Sequence, residues 1–177
     1  GPMRGPLESL ARAHVIVITK ADQSLELVAA LQERLRAVNP AAVIVTAVHE
    51  PHALQDWATG APVALERLAA GQVALLSSIG DPEGFEQTVK QLGASVVSHA
   101  AYPDHHRYQP SEWEEAVRTA SASGAHAVVT TEKDIIRLQP FRHEAPGAVP
   151  VWVLKIRMRM LSGEPALDDR LAGVCAR

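Results

Sequence analysis

Cysteine, aromatic residues and long apolar runs are all scarce in this sequence. The one cysteine, Cys175, cannot form an internal disulfide bond, which fits a reducing compartment. Apolar runs stay far below the roughly 20 residues of a membrane-spanning helix, and the first residues carry no signal-peptide pattern. We therefore expect the chain as given to be soluble.

An excess of basic residues is also missing. The formal net charge is -3, whereas domains that bind nucleic acid are usually strongly basic. Nucleic acid is therefore disfavoured as a partner.

The sequence also lacks the Gly-x-x-x-x-Gly-Lys-Ser/Thr loop that cradles the phosphates of ATP or GTP. Nucleotide hydrolysis would therefore need residues that lie outside it. The opening Gly1-Pro2 resembles the remnant of a cleaved tag. We expect residues 1–3 to be foreign and the chain to be a fragment.

Strand and helix patterns alternate along the 177 residues, a length that suits one domain. Apolar runs predict strands at residues 14–18, 42–48, 73–77, 94–99, 126–129 and 151–160, and apolar residues at helical spacing predict helices between them. This order is typical of an α/β fold, here a Rossmann-like, mostly parallel sheet with helices on both faces. We predict a single domain over residues 4–161 and a loosely held tail over 162–177.

The last predicted strand differs from the others because charged and apolar residues alternate in it. Lys155, Arg157 and Arg159 would share one face, with apolar residues on the other. This pattern predicts a strand at an edge of the sheet. The basic row could guard that edge or meet anionic lipid headgroups.

Polar clusters follow four of the predicted strands, at residues 19–22, 77–81, 104–108 and 130–134. The carboxyl ends of parallel strands meet at one edge of a sheet, which is where ligands bind in open α/β folds. The sequence therefore predicts that these clusters gather along one edge and form a binding site.

The densest cluster contains Asp104, His105, His106 and Tyr108. A carboxylate beside an imidazole can orient or charge the histidine for proton transfer near neutral pH. The same loop could instead bind a metal together with His99, or it could be a polar surface loop in which Asp104 caps the backbone. The residues alone leave these interpretations open.

The cluster at residues 130–134 begins a short predicted helix. Backbone N–H groups at the helix start and the Lys133 ammonium would favour an anion such as phosphate. Thr131 and Glu132 could equally be a helix cap and a first-turn residue. Gly80, in an earlier cluster, permits either close approach of a ligand to the backbone or a tight turn.

The first cluster, Thr19-Lys20-Ala21-Asp22, resembles the base-recognition element of guanine nucleotide-binding proteins. In those proteins the aspartate accepts from the guanine edge and the lysine stem packs on the ring. Lys20 and Asp22 would then be nucleotide-binding residues of a GTPase-like fragment. A strand end followed by a helix cap explains the same four residues.

Three clusters, taken together, resemble one enzyme family. The sequence has Ser-Ile-Gly-Asp-Pro-Glu-Gly-Phe at 78–85, Tyr-Pro-Asp-His-His-Arg-Tyr at 102–108 and Thr-Thr-Glu-Lys-Asp at 130–134. These are similar to the Gly-Ile-Gly-Asn-Pro-x-x-Phe, Phe-x-Asp-His-His-x-Tyr and Thr-Thr-Glu-Lys-Asp elements of tetraacyldisaccharide 4'-kinase, the lipid A 4'-kinase, in the same order. Residues 4–10 also resemble the family's Arg-Glu-Pro-Leu segment. Ser78, Asp81 and Tyr102 depart from the family's usual glycine, asparagine and phenylalanine.

The resemblance implies the C-terminal lobe of a bacterial enzyme that transfers the γ-phosphate of ATP, with Mg2+, to the 4'-hydroxyl of the lipid A disaccharide precursor. The family's N-terminal lobe carries the phosphate-binding loop and the catalytic aspartate, so this chain alone would be inactive. Asp104 and His105 would join the catalytic cleft, with His105 pairing with that aspartate. The full-length enzyme would act at the cytoplasmic face of the inner membrane. The expected substrate or phosphate contacts are Lys133, Thr131, Glu132, Gly80, His106 and Tyr108.

Two other functions stay open on the residues. One is a stand-alone Rossmann-like module that binds a phosphorylated sugar, a nucleotide or a partner protein. The other is the GTPase-like fragment that Lys20 and Asp22 suggest.

Overall fold

A computed structural model of the protein describes residues 7–22, 24–142 and 149–175. Its strands are β1 (Val15–Ile18), β2 (Val43–Asp56), β3 (Pro62–Val63), β4 (Gln72–Ser77), β5 (Ser95–Ala101), β6 (Ala127–Thr131) and β7 (Val151–Ser162). Its helices are α1 (Leu25–Val38), α2 (Pro82–Gln91), α3 (Pro110–Ala122), α4 (Glu132–Leu138) and α5 (Glu164–Cys175). Residues 1–6, with the expected tag remnant and the first three residues of the Arg-Glu-Pro-Leu-like segment, lie outside the described residues.

The chain divides into two compact units, and the single domain over residues 4–161 stays a prediction. The first unit consists of Gly1–Glu50 and Arg157–Arg177, and the second of Pro51–Ile156. The strands β2 and β7 each continue from one unit into the other. β2 extends beyond the apolar run predicted for it, through a polar stretch that contains Pro51.

The second unit is built on four parallel strands in the order β7-β6-β4-β5. In this register Leu76 of β4 lies opposite Thr130 of β6 and Ala100 of β5. The strands are parallel, so their carboxyl ends face the same edge of the sheet. The predicted α/β fold with a mostly parallel sheet is confirmed.

Successive side chains of β4, β6 and β7 point into two separate cores. One core joins Ala74, Leu76, Val128 and Val153 to Trp113 and Val117 of α3 and Leu138 of α4. The other joins Val73, Leu75, Val129 and Leu154 to Phe85 and Val89 of α2. This alternation is the period-2 pattern of a sheet buried on both faces, so helices cover both faces as predicted. Each large apolar side chain contributes about 1.5–3 kcal/mol by its burial.

The first unit has its own smaller core. β1 and β2 pair in parallel, with Val15 opposite Val43. The helix α1 begins after Ser24, whose side chain accepts from the Leu27 N–H, and its Leu35 packs against Ile16 and Ile18. The helix ends at Asn39. The side-chain amide of Asn39 donates to the backbone carbonyls of Leu10, Ala11 and Ala13, which precede β1, at 2.8–3.1 Å.

The structure corrects one detail of the predicted fold, because β7 does not lie at an edge. It has β6 on one side and β2 on the other. Two residues of the expected basic row pair with an acidic partner on β2: Arg157 Nη2 lies 2.8 Å and Arg159 Nε 3.1 Å from the carboxylate of Glu50. Hydrogen bonding from Arg157 and the nearby Arg159 charge lower the pKa of Glu50. β7 is therefore a paired strand whose first four residues are buried and whose last six are mostly exposed.

The tail after residue 162, which the sequence predicts to be loosely held, forms the helix α5 over Glu164–Cys175. None of its described residues is buried, although Leu167, Leu171 and Val174 stand at helical spacing. Among the described helices, none is both long and apolar enough to cross a membrane.

Candidate functional site

The Asp134 carboxylate is the buried anchor of a polar network at the carboxyl ends of β4 and β6. It is fully buried, and its Oδ1 accepts from the backbone N–H and the hydroxyl of Ser78, at 3.0 and 2.5 Å. The same oxygen accepts from the Tyr108 hydroxyl at 3.2 Å. Oδ2 accepts from the Thr131 hydroxyl at 2.7 Å. One carboxylate therefore ties together the segments that follow β4, β5 and β6.

Arg137 extends this network towards the surface. Its Nη1 lies 3.3 Å from Asp134 Oδ1 and donates to Ser78 Oγ at 3.1 Å, and its Nη2 lies 2.9 Å from His105 Nδ1. The His105 side chain is 79% exposed, and its φ of 64° lies in the left-handed region that few residues other than glycine adopt. The buried carboxylate thus holds a solvent-facing imidazole through one arginine.

Asp104 lies beside His105 at this edge of the sheet. Its Oδ2 is 3.6 Å from His105 Nε2, which is beyond hydrogen-bond distance. A Cβ built on Gly80 would lie 3.4 Å from the same oxygen, and the His105 N–H donates to the Ser78 carbonyl at 3.3 Å. The structure therefore brings Gly80, Asp104 and His105 together, as the sequence predicted.

His106 and Tyr108 form the inner side of this loop with Tyr102. The His106 ring stacks on Tyr102 with centroids 4.6 Å apart, and Tyr108 meets both rings edge-on. Burial and the Asp134 charge raise the pKa of Tyr108, so its hydroxyl stays protonated and donates. These contacts support the loop, and substrate binding by His106 and Tyr108 stays a prediction.

The three predicted residues at the start of α4 have different surroundings. Thr131 caps the helix by accepting from the Asp134 N–H at 3.2 Å, while Lys133 is exposed. Glu132 lines a cavity of about 390 Å³ with Trp57, Ile135, Arg142 and Lys155, and the residues of the 102–108 loop do not line it. A role for Thr131, Glu132 and Lys133 in phosphate binding stays a prediction.

His99, which the sequence leaves open as a metal ligand beside the Asp104 loop, lies between two protein groups. Its Nε2 lies 2.9 Å from Ser77 Oγ and its Nδ1 2.9 Å from Glu86 Oε2. Lys90 and then His99 lower the pKa of Glu86 by hydrogen bonding to it. This chain of contacts joins β4, β5 and α2. Within the described residues no group of three or more His, Cys, Asp or Glu side chains could hold a metal ion.

Lys20 and Asp22 belong to the first unit, whereas the other predicted site residues belong to the second. Lys20 is half-buried with a φ of 56°, and Asp22 is exposed just before α1. The following Ser24 provides the helix cap. Binding of a nucleotide base by these two residues stays a prediction.

Comparison with known proteins decides the family. A family model described as tetraacyldisaccharide-1-P 4'-kinase, LpxK, matches residues 1–176. The chain belongs to the tetraacyldisaccharide 4'-kinase family. It is 38% identical over 178 residues to the tetraacyldisaccharide 4'-kinase of Anaeromyxobacter dehalogenans strain 2CP-C, covering 97% of this chain and 45% of that protein. A relative with the same description from Syntrophus aciditrophicus is 34% identical over 167 residues, covering 90% of this chain and 44% of that protein.

A solved structure from the family has the same fold. LpxK from Aquifex aeolicus, crystallised in complex with ATP, matches with a TM-score of 0.59 and 22% identity, over 97% of this chain and 46% of that one. The chain therefore spans somewhat less than half the length of the kinases that it matches.

The sequence patterns did not identify the residues that hold the 102–108 loop in place. Asp134 and Ser78 lie in the predicted clusters at 130–134 and 77–81 without a role of their own, and Arg137 lies outside the predicted clusters. Arg137 had a weak signal, since it lies three residues after Asp134 and therefore on the same face of α4. Its contact with His105 joins residues 32 positions apart, which no local pattern reveals.

The His106–Glu112 pair predicts a pH dependence of stability. Hydrogen bonds from His106 and then the Gln109 N–H lower the pKa of Glu112 below its ordinary value of 4.5. A carboxyl whose pKa is lower in the folded state stabilises the protein above the unfolded pKa, and this contribution is lost as pH falls through the folded pKa. We expect Glu112→Gln to flatten the fall in the free energy of unfolding between about pH 6 and pH 3, measured by urea denaturation.

A matched control for this prediction is Glu114→Gln, which changes an exposed carboxylate on the same helix. This variant should show the same pH dependence of the free energy of unfolding as the wild type. Equal profiles for wild type and Glu112→Gln would show that the pair does not stabilise the folded loop.

Proposed function

We propose that this chain is the C-terminal lobe of a tetraacyldisaccharide 4'-kinase and supplies Asp104 and His105 to the catalytic cleft. The observation that carries the proposal is the placement of His105 at the carboxyl edge of a parallel sheet. Its imidazole is exposed, and Arg137 and the buried Asp134 hold it there. A rigidly held, solvent-facing imidazole suits a role at a reacting centre. Membership of the kinase family favours this function over a GTPase-like fragment.

The proposed reaction transfers the γ-phosphoryl group of ATP to the 4'-hydroxyl of the lipid A disaccharide precursor. The hydroxyl oxygen forms a bond to phosphorus, the bond to the β-phosphate oxygen breaks, and ADP leaves. The hydroxyl proton passes to an aspartate of the other lobe, which His105 orients. Catalysis of phosphoryl transfer depends chiefly on positioning and on stabilisation of charge, and both suit residues held as His105 is.

The other lobe would supply the phosphate-binding loop and the metal site. The sequence has no Gly-x-x-x-x-Gly-Lys-Ser/Thr loop, and its described residues hold no cluster suited to a metal. We therefore assign no step to Mg2+ in this chain. The Aquifex aeolicus structure contains ATP, which supports ATP as the phosphate donor.

A hybrid enzyme tests this function. In it, this chain replaces the segment of the Anaeromyxobacter dehalogenans kinase that it matches. We expect the hybrid to phosphorylate a lipid A disaccharide precursor from ATP, because the lobe would complete the cleft. Transfer of 32P from γ-labelled ATP to the lipid measures the activity, with the unaltered Anaeromyxobacter enzyme as the positive control.

The isolated chain is the matched negative control, and we expect no transfer from it. A hybrid that unfolds cooperatively and stays inactive, beside an active parent enzyme, would contradict the proposed function. Phosphate transfer by the isolated chain would contradict the proposal that the other lobe supplies the phosphate-binding loop and the metal site.

A further inference from the structure

The contact between Arg137 and His105 restricts where the imidazole can carry its proton. A guanidinium group has N–H donors and no acceptor. Since Arg137 Nη2 lies 2.9 Å from His105 Nδ1, Nδ1 must accept, and the ring proton must sit on Nε2. A ring protonated on both nitrogens would place two donors against each other at this contact.

We propose that Arg137 is a positioning residue that holds His105 as the Nε2–H tautomer, so that His105 presents a hydrogen-bond donor to the reacting groups. This inference rests on the proposed function and adds a role that the family resemblance did not assign. His105 would then orient the catalytic aspartate by donating to its carboxylate. It would not itself remove the proton from the sugar hydroxyl, because Nε2 carries a proton and Nδ1 is occupied.

The contacts of Arg137 explain how it can hold His105 as one tautomer. Its Nη1 donates to Ser78 Oγ at 3.1 Å and lies 3.3 Å from Asp134 Oδ1, while Nη2 reaches His105. The arginine is 23% exposed and the Asp134 carboxylate fully buried. The guanidinium group is planar, so contacts that hold Nη1 also fix the direction in which Nη2 points. Asp104 Oδ2, at 3.6 Å from Nε2, is too far to take the proton into a hydrogen bond.

Nuclear magnetic resonance of the 177-residue chain tests the tautomer without any activity. Long-range 1H–15N correlations of 15N-labelled histidine distinguish a protonated ring nitrogen from an unprotonated one, at about pH 8, where an ordinary histidine is neutral. We expect His105 to show protonated Nε2 and unprotonated Nδ1. Arg137→Met keeps much of the side-chain bulk without the donors. In this variant the 15N chemical shifts of the two ring nitrogens should move towards those of a mixture of tautomers.

Two controls separate this effect from a general change in fold. Arg118→Met removes an exposed arginine of α3 that pairs with Glu115, and it should leave the His105 signals unchanged. His106, whose Nε2 lies 2.8 Å from Glu112, should keep its own signals in Arg137→Met. Wild-type His105 protonated on Nδ1, or an unchanged tautomer in Arg137→Met, would overturn the proposal.

A kinetic measurement on the hybrid enzyme tests the consequence. Arg137→Met should lower kcat about tenfold or more through a misplaced His105, and it should have little further effect in a His105→Ala background. Equal kcat for wild type and Arg137→Met would overturn the positioning role. Additive losses would show that Arg137 acts independently of His105, which also overturns it. If a folded hybrid has no activity beside an active parent enzyme, the proposed function fails while the spectra still decide the tautomer.

Discussion

Replacing His105 with alanine is expected to lower kcat of the hybrid enzyme about 100-fold, with a smaller change in KM. Removing one well-placed hydrogen-bond donor from an active site typically costs this much. The fold should survive, because the His105 side chain is 79% exposed and packs in neither core of the second unit. Initial rates at saturating ATP and lipid precursor, with a circular dichroism melt of each variant, measure the effect. Asp104→Ala should lower kcat as well.

The matched control is His52→Ala, which removes an exposed histidine of β2 in the same compact unit. Its kcat should equal that of the wild type. If His105→Ala and His52→Ala both turn over at the wild-type rate, the 102–108 loop is structural and the catalytic assignment of Asp104 and His105 is wrong.

Replacing Asp134 with alanine should lower the free energy of unfolding by about 3–5 kcal/mol. The carboxylate is fully buried and accepts from Ser78, Tyr108 and Thr131 beside the Arg137 guanidinium. Alanine leaves these donors unsatisfied in the protein interior, and each such group costs about 1–3 kcal/mol. Thermal unfolding should show Tm lowered by about 10 °C.

Two variants show whether the loss comes from the buried network. Asp134→Asn keeps the size and one acceptor oxygen, so it should destabilise less than alanine. Asp168→Ala changes an exposed aspartate of α5 and should alter the free energy of unfolding by less than about 0.5 kcal/mol. A loss for Asp134→Ala as small as that of Asp168→Ala would show that the network does not stabilise the fold.

Much of the second unit was predictable because its signals are local. Apolar runs marked β4, β5 and β6, and Asp81 before Pro82 marked the start of α2. A parallel sheet then requires that the polar clusters after these strands share one edge, so the neighbourhood of Gly80, Asp104 and His105 followed from pattern alone. The position of β7 did not, since an alternation of charged and apolar residues does not tell an edge strand from a strand that has neighbours on both sides.

The sequence by itself therefore determined the α/β class, most element positions, the kinase family and the loop that contains Asp104 and His105. Only the tertiary structure decided which residues support that loop. Ser78, Tyr108 and Arg137 are separated by tens of residues in the chain and meet at Asp134. The reason is physical: a fully buried carboxylate needs hydrogen-bond donors to offset its lost hydration. The order in which β4, β5 and β6 lie side by side in the sheet determines which donors are within reach.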